Sequence, residues 1–217
     1  MNYLGKVHAG GPAAVHELAA LTISKLSVGE MDNNAYLLRC RATGEQLLID
    51  AAADPDRLLG LIGPDGLVGV VTTHGHFDHW QALASVVAAT SARTFAHAED
   101  APMIPVETDV FLSEGDRRRF GDIELSVTHL VGHTPGSVVL TYDDPEGSPH
   151  AFTGDCLFPG GIGRTQSSAD FDSLYAGVAT KVFGRLPDET WVYPGHGDDT
   201  TLGAERPHLD EWLARRW

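Results

Sequence analysis

A mixed α/β domain is what this sequence predicts, and three observations predict it. Short apolar, β-branched runs bounded by turn residues recur along the chain, and residues 67–71 (Leu-Val-Gly-Val-Val) are a plain case. Helix-forming stretches at residues 55–62, 80–89 and 170–183 are interspersed among them. His74, His76, Asp78 and His79 fall in the turn between the 67–71 strand and the 80–89 helix. That turn is where α/β proteins place ligands. The chain is read as one domain over residues 1–217, long enough to bury a substantial core.

Taken in order, residues 1–20 are weakly patterned and broken early by Gly10-Gly11-Pro12. Residues 21–26 alternate apolar and polar side chains, the mark of a half-buried strand. Asp32-Asn33-Asn34 reads as a turn, with strands at 35–38 and 46–49 around Thr43-Gly44 and Asp50 closing the second. Residues 55–62 read as a helix with Asp54 as cap and Pro55 at its first position. Gly63-Pro64-Asp65-Gly66 stops it. Beyond the 80–89 helix come a strand at 93–96 and an irregular stretch at 99–105 holding two prolines. Residues 110–121 give two strands about Glu114-Gly115-Asp116, and residues 123–130 alternate and end just before His133. Strands follow at 138–142 and 151–153, the latter ending at Asp155. A helix over 170–183 capped near Asp170, a strand at 190–193 running into His196, and a short helix within 207–217 complete the chain.

Composition excludes several classes. With 30 acidic and 15 basic residues the formal charge is −15. A nucleic-acid surface would show basic stripes, and anionic membranes would repel such a chain. Arg117-Arg118-Arg119 reads as a solvated loop or strand end. Two cysteines, Cys40 and Cys156, form no disulfide framework and fit a reduced, cytoplasmic setting. Cys156, beside Asp155, reads as a small buried residue. Residues 1–20 contain no continuous apolar segment, so neither a secretory signal nor a membrane span is expected.

The chemistry concentrates in Thr73-His74-Gly75-His76-Phe77-Asp78-His79-Trp80. Neutral imidazole and carboxylate suit zinc, iron and manganese, and packing alone has no use for so many titratable groups together. His76 and His79, three apart on entry to the helix, are expected to share a face, while His74 projects from the strand end. His133, Asp155 and His196 also follow directly after strands, so all can meet if those strand ends line one rim. Taken singly, His133 reads equally as a turn cap and Asp155 as an ordinary turn aspartate. His8, His16, His97, His129, His150 and His208 lack such a setting and read as structural or surface residues.

His74-x-His76-x-Asp78-His79 resembles the signature of the metallo-β-lactamase fold superfamily. Val131-Gly132-His133-Thr134-Pro135-Gly136-Ser137, Phe152-Thr153-Gly154-Asp155-Cys156 and Tyr193-Pro194-Gly195-His196-Gly197 follow in that family's order. The resemblance runs from about Leu21 to the C-terminus. It implies a four-layer αβ/βα sandwich, where periodicity gives only a mixed α/β domain. It also implies two divalent metal ions, zinc foremost, with iron or manganese as the other choices. His74, His76 and His133 would hold one ion, Asp78, His79 and His196 the other, and Asp155 would bridge them. Asp50 would support the metal loops. A metal-bridging hydroxide is the implied nucleophile, oriented by Asp78. No serine nucleophile is required, and the chain has no Gly-x-Ser-x-Gly elbow.

Within the superfamily, Asp32-Asn33-Asn34-Ala35-Tyr36, Gly154-Asp155-Cys156-Leu157-Phe158 and Gly163-Arg164-Thr165 resemble glyoxalase II-like hydrolases of the short, single-domain kind. The implied reaction cleaves a small-molecule S-acyl thioester, such as S-lactoylglutathione, to an acid and a free thiol. Arg164 reads either as a contact for an anionic substrate or as a structural arginine. Full-length glyoxalase II enzymes carry a further helical domain that the short stretch after His196 does not match, which opens the thiol carrier to others than glutathione. The alternative is a persulfide dioxygenase with a single iron on His74, His133 and Asp155. That family shows Asp after Arg-Thr, where this chain has Gln166. A lactonase and a non-catalytic metal-binding module are further readings.

Overall fold

Strands that alternate between two apolar faces need a partner layer on each side. In β3 (Asn33–Cys40), Tyr36 and Leu38 enter one core while Ala35 and Leu37 enter another. The computed structural model, which describes residues 3–216, shows how both faces are covered. One sheet runs in the order of the chain: β1 (Ala14–Glu17), β2 (Leu21–Val28), β3, β4 (Gln46–Ile49), β5 (Gly69–Val71), β6 (Arg93–His97) and β7 (Val110–Leu112). Its first four strands pair antiparallel and its last four parallel. The second sheet is built from β8 (Arg117–Phe120), β9 (Ile123–Leu130), β10 (Ser137–Tyr142) and β11 (His150–Gly154). A small hairpin, β12 (Leu157–Phe158) with β13 (Gly161–Ile162), leads on to β14 (Trp191–Pro194) and β15 (Thr200–Thr201). These two complete the second sheet in the order β15-β14-β11-β10-β9-β8, with β11 and β14 parallel.

Between the sheets lies a dry core that includes Ile23, Tyr36, Leu38, Leu125, Leu140 and Phe152. The outer face of the first sheet is covered by α1 (Pro55–Ile62) and α2 (Leu83–Thr90) through Leu58, Leu83 and Val86. The outer face of the second is covered by α3 (Ser168–Gly177), a π-helical continuation at Val178–Phe183, α4 (Leu202–Glu205) and α5 (Leu209–Arg215). Phe171, Leu174, Val182 and Trp212 are buried there. The result is the expected four-layer αβ/βα sandwich. Among the described residues no helix is long and apolar enough to cross a membrane.

Several boundaries differ from the sequence reading, each for a local reason. Residues 14–17 form a strand because β2 offers them an edge to pair with. Asn33 and Asn34 belong to β3, not to a turn; the turn is Gly29–Asp32, with Gly29 and Asp32 both at positive φ. Asp54 does not cap α1 with its side chain, since its Oδ2 accepts a hydrogen bond from Gly29 N at 2.8 Å. The 80–89 helix begins only at Leu83, because Phe77–His79 closes a separate 3₁₀ turn. Helix α3 starts at Ser168, two residues before the sequence reading, and its cap near Asp170 is Ser167, whose Oγ accepts from Asp170 N. The three arginines at 117–119 lie in β8, where Arg117 and Arg119 pair with Glu124 and Arg118 with Asp116. The C-terminal helix spans Leu209–Arg215, and Trp217 lies outside the described residues.

One buried ion pair ties the N-terminal segment to the rim of the sandwich. Lys25 and Asp199 are 0% and 1% exposed, with Nζ and Oδ1 2.6 Å apart. Lys25 Nζ also donates to the carbonyls of Gly5 (2.8 Å) and Gly197 (2.7 Å), and Tyr3 Oη donates to Asp199 at 2.5 Å. Burial lowers Lys25 and raises Asp199 to about 6, and the attraction between the two opposes both shifts. Such a pair adds little net stability but is costly to break, because the survivor is left charged and dry. Asp199→Ala is expected to destabilise the fold by about 3–5 kcal/mol, read by urea unfolding. A change under 1 kcal/mol would mean that Lys25 finds another partner.

Candidate metal centre

The site is built from strand ends on one rim. Strand β5 ends at Val71 and leads into Thr73 and His74; β9 leads to His133, β11 to Asp155 and β14 to His196. Strand β3 starts at the same rim, where Asn33 bridges His196. Two glycines allow the close approach. A Cβ on Gly195 would lie 2.1 Å from Asp155 Oδ1 and 2.7 Å from His79 Cε1, and one on Gly163 would lie 1.7 Å from the Asp155 carbonyl oxygen.

Two groups of donor atoms result. His74 Nε2 stands 3.1 Å from His76 Nδ1 and 3.2 Å from His133 Nε2. Asp78 Oδ2 stands 3.3 Å from His196 Nε2 and 3.7 Å from His79 Nε2. Asp155 lies between them, its Oδ1 3.4 Å from His79 Nε2 and its Oδ2 3.6 Å from the Nε2 atoms of both His133 and His196. Ligands at about 2.1 Å around a tetrahedral zinc stand roughly 3.4 Å apart, so the spacing suits a cation in each group. The chemistry agrees, because Asp155 Oδ1 is buried without a hydrogen-bond partner. His76 and His79 do not share a helix face as the sequence suggested. The 3₁₀ turn separates them, and each joins a different group.

The far side of four rings is held, those of His74, His79, His133 and His196, whereas His76 turns its Nδ1 inward toward His74. Asp50, buried and at φ 59°, accepts hydrogen bonds from Thr73 N (2.7 Å), Thr73 Oγ1 (2.8 Å) and His79 Nδ1 (2.8 Å). His133 Nδ1 bonds to the Arg164 carbonyl at 2.8 Å, and His196 Nδ1 to the Met31 carbonyl at 3.1 Å. With Nδ1 engaged, Nε2 is the atom presented inward, the usual arrangement around a metal. Burial, reinforced by the neighbouring imidazoles, holds His74 well below the ordinary histidine value. Burial pushes Asp78 upward, but hydrogen bonds from His196 and Asn33 outweigh it and keep the carboxyl low. Burial likewise depresses His79, yet Asp50 and Asp155 overcome it and raise the imidazole to about 10.

Two residues here escape a sequence reading. Asp100 sits in the stretch read as irregular, fully buried. Its Oδ2 accepts from Gly75 N (2.8 Å) and Thr134 Oγ1 (2.6 Å), and its Oδ1 from Gly136 N (2.7 Å). It therefore clamps the loop of His74 and His76 to the loop of His133. Its partners are 25 to 36 residues away, so no local pattern could reveal it. Asn33 donates from Nδ2 to Asp78 Oδ2 at 3.0 Å. The remaining histidines stand elsewhere: His16 and His150 bond to the Tyr193 hydroxyl, and His97 stacks on His129. Burial pushes the Cys156 thiol up to about 12, so it is no nucleophile at neutral pH. Arg164 lines a cavity of about 530 Å³ together with His76, His133, Thr165 and Gln166.

Histidine and carboxylate groups gathered on the strand-end rim of an αβ/βα sandwich define a class of metalloprotein. The chain belongs to the metallo-beta-lactamase superfamily, whose family model matches residues 28–196. Members are generally hydrolytic metalloenzymes, and the fold binds divalent metals. The chain is 36% identical over 167 residues to a hydroxyacylglutathione hydrolase of Polaromonas sp., a match covering 76% of this chain and 62% of that protein. It thus spans less than two thirds of the length of that relative. Among solved structures it is similar to TTHA1623 in a di-iron-bound form, with a TM-score of 0.69 and 34% identity over 84% of this chain and 96% of the other. It is also similar to ETHE1 from Myxococcus xanthus, with a TM-score of 0.77 and 28% identity over 89% of each chain.

Two outcomes are expected. Asp100→Asn turns one accepting oxygen into a donor facing donors, and should weaken divalent-ion binding at His74, His76 and His133 by about 10–100-fold. Zinc titration against a chromophoric chelator measures this, and unchanged affinity would deny the clamp its role. Because His79 is raised to about 10, it is protonated at lower pH, and a cation at its Nε2 must displace that proton. Apparent affinity at Asp78, His79 and His196 should therefore climb by up to about tenfold per pH unit near neutrality. Calorimetry in buffers of different ionisation enthalpy counts the released proton.

Proposed function

We propose that this chain is a binuclear metallo-hydrolase that cleaves S-acyl thioesters. The observation that carries the reading is Asp155, whose carboxylate reaches His133 on one side and His79 and His196 on the other within 3.6 Å. A carboxylate in that position would be shared between two ions if both groups were filled. In this reading His74, His76 and His133 hold the first cation and Asp78, His79 and His196 the second. Zinc is the leading choice and iron the next, in keeping with the di-iron form of TTHA1623. The thioester class is supported by the likeness to hydroxyacylglutathione hydrolases.

Two bound ions would supply an ionised water near neutral pH and polarise the carbonyl under attack. The chain's own groups set the geometry. Asp78, kept ionised by the hydrogen bonds around it, accepts an O–H from the attacking water and aligns its lone pair. Asp50 fixes the His79 ring through Nδ1, so that Nε2 cannot turn away. Arg164 offers a positive charge at the cavity beside His76 and His133, suited to a substrate carboxylate. The leaving thiolate is stable enough to depart without a strong general acid.

The test is metal content by mass spectrometry on protein purified without chelator, followed by a panel of S-acyl thiols with a thiol-reactive dye. Close to two ions per chain and release of thiol are expected. Asp155→Ala should lose more in kcat/KM than the roughly 10–100-fold that an outer partner costs. One iron per chain with oxygen uptake on a persulfide would replace this reading with the dioxygenase. A chain that stays empty when metal is offered would overturn both.

A further inference from the structure

Two cavities of equal size adjoin residues of the candidate centre, and their charged linings are of opposite sign. The first, about 530 Å³, is the one lined by His76, His133 and Arg164; its only charged lining group besides the histidines is that guanidinium. The second, also about 530 Å³, is lined by Phe77 of the ligand loop and by Asn33 at the start of β3. Asn33 touches Asp78, and Phe77 lies between His76 and Asp78 in the chain. The apolar lining of this second cavity is Met31, Ala53, Pro55, Phe77 and Ala82. Its charged lining is Glu30 and Asp54, with no cation. Arg57 stands 3.9 Å from Asp54 but directs its guanidinium to the carbonyls of Ser27 and Gly11.

Two large apolar side chains remain open to solvent at this cavity, Met31 at 52% and Phe77 at 58% exposed. Leaving them there costs hydration that a bound apolar group would recover. The wall is also built rather than loose. The turn that carries Met31 is pinned by Ser27 to Asp32, by Gly29 N to Asp54, and by the Met31 carbonyl to His196.

We infer that the Met31–Phe77 cavity binds an apolar acyl group, while the thiol carrier of the same substrate extends to Arg164 and bears a carboxylate. The inference rests on the thioester-hydrolase reading and names its substrate class. A thioester carbonyl held at the centre carries its acyl arm and its sulfur arm on diverging bonds of one trigonal carbon, so the two arms can enter different cavities. Charge decides which. An anionic arm beside Glu30 and Asp54 would be repelled, and beside Arg164 it is paired. The uncharged, apolar arm therefore takes the Met31 side. An aliphatic or aromatic acyl group is the expected preference, over a short hydroxylated one.

The experiment uses the metal-loaded full chain and a series of thioesters of one carboxylated thiol, 3-mercaptopropionate, with acetyl, butyryl and hexanoyl groups. Each buried methylene is worth about fourfold, so kcat/KM should rise on the order of a hundredfold from acetyl to hexanoyl. Met31→Ser with Phe77→Ser should flatten that ratio to within about tenfold. Met31→Ser alone, on a turn outside the ligand loop, carries the same readout should the Phe77 change disturb folding. Binding of the matching non-hydrolysable thioethers, by calorimetry, should show the same chain-length dependence and the same loss. Replacing the carrier's carboxylate by an amide should raise KM in the parent chain and change little in Arg164→Gln. A flat acyl series in the parent chain, or a steep one that survives in the variants, overturns the inference while leaving the hydrolase intact. Thiol release from no thioester at all overturns the hydrolase reading and this inference with it.

Discussion

The Asp50 carboxylate is the interaction on which the rest of the site depends. It is buried, sits in a left-handed backbone conformation at the end of β4, and accepts three hydrogen bonds. Two of these hold Thr73, where β5 gives way to the histidine loop, and the third holds the ring of His79 five residues into that loop's far end. Both ends of the loop are thus referred to one rigid strand. A buried carboxylate without donors would be costly; with three it becomes a fixed point. The same logic repeats with Asp100, which joins the loop to the turn that follows His133. Function here requires that chain segments distant in sequence meet within a few tenths of an ångström, and buried carboxylates with several donors achieve it.

The layers follow from this need as much as from apolar burial. The rim carries side chains from the ends of four strands in two sheets, so the sheets must be stacked with those ends aligned. Leu125, Leu140 and Phe152 from one sheet and Ile23, Tyr36 and Leu38 from the other fill the gap. The core sets the distance between His79 and His133, and Asp155 then spans the interval. Packing densities in such interiors leave little slack, which is why glycines at 163 and 195 are needed where backbone and ligands nearly touch.

Much of this was legible in the sequence, and what was not shares a physical cause. Period-two alternation located β2 and β9, because half-buried strands write their faces into the residue order. The donor groups of the candidate centre were legible because so many imidazoles and carboxylates have no use in packing. Their sharing of a rim was legible only as a condition, since each follows directly after a strand and they can meet if those strand ends line one rim. Asn33 was read as a turn residue because Asn in isolation favours turns, and only its pairing with Val28 of β2 draws it into a strand. The 80–89 helix was placed three residues early, since its apolar composition is indifferent to the tight turn that Phe77–His79 must make first. Asp100 left no trace at all. Its three partners are non-local, and a carboxylate among prolines looks the same whether it is solvated or a clamp.

The buried Lys25–Asp199 pair places the leading residues of the chain in an unexpected position. Lys25 grips the carbonyl of Gly197, one residue past His196, and shares that grip with Gly5 and, through Asp199, with Tyr3. The opening segment is therefore a strap buckled onto the back of the site, and tension on it is transmitted to a ligand. The same buckle means that a change at Tyr3 or Gly5 is answered at the rim and not at the surface.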